Sequence, residues 1–178
     1  MSADKRSETM SLLLGWLGIG AVDTPHPRLY EPWIRIREPR AGASSRIRED
    51  DPLSGDIKAF YEITDGLMFP AGGDFPSLLR VGEGWPVDEE WGGFKQQRAT
   101  ALRVIGGDYN DGFILVDLSS ATQRVWLVKP EEQQWVRLGA FRDFVKWLVL
   151  QSLECGGVGF PELIESGRFE TFSDFQDG

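Results

Sequence analysis

Residues 102–150 read LRVIGGDYNDGFILVDLSSATQRVWLVKPEEQQWVRLGAFRDFVKWLVL. Three short apolar runs, split by polar turns, lead into one amphipathic helix. Runs this short, rich in Val, Ile, Leu and Phe and bounded by turn residues, read as strands of an antiparallel meander. The expected strands cover residues 102–105, 113–118 and 124–128, and a fourth covers 135–138. Asn110-Asp111-Gly112 is a tight-turn signal between the first two, because Asn, Asp and Gly tolerate the left-handed backbone that such turns need. Ser119-Ser120-Ala121-Thr122 and Pro130-Glu131-Glu132 turn the chain twice more. Phe141, Phe144, Val145 and Leu148 then fall on one helical face, so this helix is expected to pack back on the sheet.

The flanking segments add helices. Met10, Leu13, Leu14 and Leu17 lie at i, i+3, i+4 and i+7, and predict a docking N-terminal helix. Asp51-Pro52 is a helix start, with Asp51 as N-cap and Pro52 in the first helical position. Its inward stripe is Leu53, Ile57, Phe60 and Tyr61, and Gly66 is placed to end it with a left-handed residue after Asp65. Trp33-Ile34-Arg35-Ile36-Arg37 alternates as a half-buried strand does, and residues 78–81 form a further short strand candidate. Gly156-Gly157 stops the Phe141 helix, residues 161–167 suggest a last short helix, and Phe169, Phe172 and Phe175 recur by three in an acidic tail. That tail is expected to dock as one helical turn or to bind a partner. The order of elements predicts an α+β domain: a central antiparallel sheet of four to six strands flanked by helices. Residues 1–50 form an N-terminal helix and variable segment, 51–155 the core, and 156–178 the tail.

Composition narrows the function. The chain has 178 residues, enough for a core without disulfide staples. Cys155 is the single cysteine and His26 the single histidine. No intrachain disulfide or thiolate metal cluster can form, which suits a reducing cytoplasm. His26 sits in Thr24-Pro25-His26-Pro27, a poor place for a catalytic base. Residues 11–22 are apolar enough to suggest a signal peptide, but Asp4 and Glu8 offset Lys5 and Arg6, and the run is too short and glycine-rich to span a membrane. Formal net charge is −9. Residues 28–48 hold six Arg against two Glu, whereas residues 49–91 hold eleven acids against Lys58 and Arg80, and residues 151–178 hold six acids against Arg168. This balance disfavours nucleic acid and favours cationic partners, whose encounter an acidic surface speeds.

Familiar chemical motifs fail on spacing. In Asp108-Tyr109-Asn110-Asp111-Gly112, glycine falls at position 5 and Ser119 at position 12, so a calcium-binding loop is excluded and a hairpin turn expected. Gly72-Gly73-Asp74 and Gly82-Glu83-Gly84 lack the lysine and helix of a phosphate loop. Among 28 acidic residues chance pairs are inevitable, so a carboxylate-based hydrolase has little support. No catalytic residue, cofactor or metal site is expected. The segment Glu83-Gly84-Trp85-Pro86-Val87-Asp88-Glu89-Glu90-Trp91 is distinctive: three acids between two Trp, in a loop-rich stretch. Trp85 and Trp91 offer contact surface, and Asp88, Glu89 and Glu90 can pair with cations of a partner. Asp108, Asp111, Glu131 and Glu132 are second-tier contacts.

Three segments together resemble the SUKH superfamily, which includes regulators of yeast cell-wall synthesis and bacterial immunity proteins. They are Phe60-Tyr61-Glu62-Ile63-Thr64-Asp65-Gly66-Leu67, similar to the family's aromatic helix closing in Asn-Gly or Asp-Gly; Ile105-Gly106-Gly107-Asp108 through Gly112-Phe113-Ile114-Leu115-Val116-Asp117, similar to its central hairpin; and Leu138-Gly139-Ala140-Phe141-Arg142-Asp143-Phe144-Val145-Lys146-Trp147-Leu148, similar to its strand-to-helix segment. Ala140 stands where the family usually has a Ser or Thr N-cap. The resemblance brackets residues 52–150 and implies an α+β protein-binding domain without shared catalytic residues. On this reading the chain is a cytoplasmic, non-enzymatic immunity protein. It neutralises a cognate bacterial toxin domain, a nuclease being the natural target of an acidic surface that stands in for phosphates. The alternative is an intracellular regulatory scaffold that binds a cellular protein and no toxin.

Overall fold

The computed structural model describes residues 3–19, 35–37, 55–68, 77–78, 85–86, 101–107, 112–153 and 170–171. In chain order these form α1 (Ala3–Leu17), β1 (Arg35–Ile36), α2 (Gly55–Ile63), β2 (Leu67–Met68), β3 (Ser77–Leu78), β4 (Trp85–Pro86), β5 (Leu102–Gly107), β6 (Phe113–Asp117), β7 (Arg124–Lys129), β8 (Gln134–Ala140), α3 (Phe141–Leu153) and β9 (Glu170–Thr171). The described strands make one antiparallel sheet in the order β1-β2-β3-β5-β6-β7-β8-β9, with β4 pairing β5 beside β3. This is the expected α+β architecture, a meander of four longer strands extended by short ones. Among the described residues no helix is long and apolar enough to cross a membrane.

Alternation along the meander builds two apolar faces. Ile105, Ile114, Val116, Val125, Leu127, Val136 and Leu138 belong to the cluster that the helices cover. Leu102, Val104, Leu115, Trp126, Val128 and Trp135 form a second buried cluster, with Phe113 against it and no described helix contributing. Val104 and Ile105 alternate onto the second face and the first, and a bulge between Val104 and Gly106 gives β5 one residue more than β6 at that point. Gly106 has a separate task. A Cβ there would overlap the Ser77 carbonyl oxygen, so the β3–β5 pairing requires glycine.

Phe60 is the meeting point of the helices. It is fully buried. Its ring lies 5.5 Å from Phe141 of α3 and 6.2 Å from Trp16 of α1, and edge-on to Tyr61 at 5.0 Å. Edge-to-face pairs of this kind are each worth about 0.5–1.5 kcal/mol beyond area burial. The expected stripe of α1 is inward: Met10, Leu13, Leu14 and Leu17 are all buried. The helix ends in a paired cap, with Ile19 N–H donating to Leu14 O (2.9 Å) and Gly18 N–H to Gly15 O (3.1 Å), while Gly18 takes φ +67°. The Arg142 guanidinium donates to the Trp16 carbonyl and lies 5.5 Å from the centre of the Trp16 ring, clamping the end of α1 to the start of α3.

Two expectations shift. Asp51, Pro52 and Leu53 lie outside the described residues, and the described α2 opens at Gly55, which takes φ +53°. At its other end α2 stops at Ile63, and the positive φ (+98°) at Gly66 comes after Thr64 and Asp65. The Thr64 hydroxyl is shared between the Arg37 and Gly66 carbonyls (2.8 and 2.9 Å), and Asp65 N–H donates to Arg37 O, so the exit is shaped by the neighbouring chain. In the tail, Glu170 and Thr171 are extended and pair with Trp135 and Gln134, in place of the helical turn suggested by the phenylalanine spacing. Phe169, Phe172, Phe175, Gly156, Gly157 and residues 161–167 lie outside the described residues.

Phe60→Ala is expected to lower the unfolding free energy by about 3–5 kcal/mol in a urea titration. The two strand glycines should respond differently. Gly139 has φ +93° and open space at its Cβ, so asparagine, which tolerates left-handed backbone, should be less damaging there than alanine. At Gly106 the order inverts: any side chain meets Ser77, and asparagine should be at least as damaging as alanine.

Candidate functional site

The meander has two ends with different chemistry. At one end, the β6–β7 turn is knitted from within. The Asp117 carboxylate, nearly fully buried, accepts from Ser119 N–H (2.8 Å) and from the Ser119 hydroxyl (2.6 Å). Ser120 donates its hydroxyl to Asp117 O and accepts Arg124 N–H at 2.9 Å. These bonds place Gln123, 3% exposed, at φ +50°. Its side-chain Oε1 accepts Ile57 N–H of α2 at 2.8 Å, and its main-chain carbonyl accepts Phe141 N–H of α3 at 3.1 Å. A helix leaves its first four N–H groups without intrahelical acceptors. One residue of the sheet thus satisfies such a donor in each of two helices. This end of the sheet is structural.

The opposite end is exposed. There the β7–β8 turn runs through Pro130, Glu131, Glu132 and Gln133, closed by Gln133 N–H donating to Pro130 O (3.1 Å), with Gln133 at φ +51°. Glu131 and Glu132 are exposed. Lys129 Nζ lies 3.3 Å from Glu132 Oε1, an ion pair in water whose side chains are 27% and 54% exposed. Pairs of this exposure contribute about 0–1 kcal/mol, so they do little for stability. The turn is nevertheless held firmly, because β7 and β8 pair without interruption from Lys129↔Gln134 to Trp126↔Arg137 and, after a register shift, on to Arg124↔Ala140.

Of the nine expected contact residues, Trp85, Glu131 and Glu132 are among the described residues. The β5–β6 connection, which carries Asp108 and Asp111, leaves the sheet from the Gly107↔Phe113 pair. That is the same end as Glu131 and Glu132, since β6 and β7 are antiparallel neighbours. Trp85 lies on β4, opposite Val104, and Pro86 lies opposite Arg103, so β4 runs toward the start of β5. The chain beyond Pro86 therefore leaves β4 near the start of β5, about 14 Å along the strand from the Gly107↔Phe113 pair at roughly 3.4 Å per residue. Asp88, Glu89, Glu90, Trp91, Asp108 and Asp111 themselves lie outside the described residues.

Sequence reasoning missed Gln123 altogether. Nothing local distinguishes a glutamine whose partners lie 66 residues upstream and 18 downstream. Asp117-Leu118-Ser119-Ser120 did carry a signal, the Asp-x-Ser spacing of a side-chain-to-backbone turn. Among the described residues no three His, Cys, Asp or Glu side chains converge as a metal site would require. The chain matches no family model, no curated protein and no solved structure.

Two outcomes follow from this contrast between the ends. Gln123→Ala removes the acceptor of a buried N–H and should cost about 1–3 kcal/mol of stability by urea titration. The double variant Glu131→Gln/Glu132→Gln should leave the urea midpoint nearly unchanged, a difference within about 0.5 kcal/mol.

Proposed function

We propose that the protein is a non-enzymatic binding module of the SUKH type, an immunity protein that captures a cognate bacterial toxin domain and blocks it. The observation that carries this reading is the exposed Glu131–Glu132 turn, held by the β7–β8 hairpin at the end of the sheet where the connection bearing Asp108 and Asp111 starts. Carboxylates displayed on a stiff support lose little entropy on contact, and they can pair with the Lys and Arg that line a nuclease cleft, where substrate phosphates would sit. The net charge of −9 adds long-range attraction for such a surface. Of the three segments that resemble the family, residues 60–67 hold the end of α2 and the start of β2, the second carries residues of β5 and all of β6, and the third runs from β8 into α3. Trp85, Asp88, Glu89, Glu90 and Trp91 would form a second contact region.

The test is affinity capture with the tagged full chain at low salt, identification of what is bound, and assay of the captured domain. Stoichiometric recovery of a toxin domain whose activity falls as the protein is added supports the proposal. Recovery of housekeeping proteins alone overturns it in favour of a regulatory scaffold. With the toxin in hand, Glu131→Lys/Glu132→Lys should slow association roughly tenfold at low ionic strength. That gap should narrow above about 0.15 M salt, where the screening length falls to about 8 Å. An association rate indifferent to these charges and to salt would place the contact elsewhere on the protein.

A further inference from the structure

We draw no further inference here: the strongest candidate, the apolar stripe that exposed Leu12 and Gly15 make with half-buried Trp16 and Ile19 along α1, carries nothing because nothing in the structure shows what covers it.

Discussion

Gln123 is the point on which the arrangement of helices over the sheet depends. Its left-handed backbone turns the chain into β7, its side chain holds the start of α2, and its carbonyl holds the start of α3. Hydrophobic burial supplies most of the free energy that presses the helices on the sheet, but burial is non-directional. Two hydrogen bonds from one buried residue supply the direction. They set where α2 and α3 begin, and so which of their residues meet at Phe60. Gly55 shows how closely this corner is built, since a Cβ there would come within 3.3 Å of the Gln123 amide.

The consequence for function is a division of labour along the strands. One end of the meander is committed to internal bonds, through Asp117, Ser119, Ser120 and Gln123. The other presents Glu131 and Glu132 to water, with Glu132 in a surface ion pair with Lys129. Because the β7–β8 ladder runs unbroken up to the turn except for the shift at Val125–Trp126, exposed charges there ride on a frame that does not need them. A surface of this kind can vary its charges with little penalty in stability, as a binding protein matched to one partner requires.

Much of the meander was legible in the chain because its strands are long enough to alternate. Residues 113–118 and 124–128 announce β6 and β7 nearly to the residue, and the Phe141, Phe144, Val145 and Leu148 stripe announces α3. β2, β4 and β9 were not legible. A two-residue strand has no period, and its existence is decided by the neighbour it pairs with. The bulge between Val104 and Gly106 was hidden for a related reason: the extra residue shows only in the pairing with Leu115 and Ile114 of β6. Of the site, the acidic residues were visible, but the end of the sheet that Glu131 and Glu132 occupy follows from strand direction. The trans-cap by Gln123 is long-range, so no window of sequence contains both partners.

Native-state hydrogen exchange at the Ile57 and Phe141 amides tests the central claim most directly. If Gln123 locks both helices to the sheet, both amides exchange only through global unfolding, with the same opening free energy as the core amides of β6 and β7. If either amide exchanges through a local opening well below that limit, the helix starts fray independently, and Gln123 is not the constraint that orders the fold.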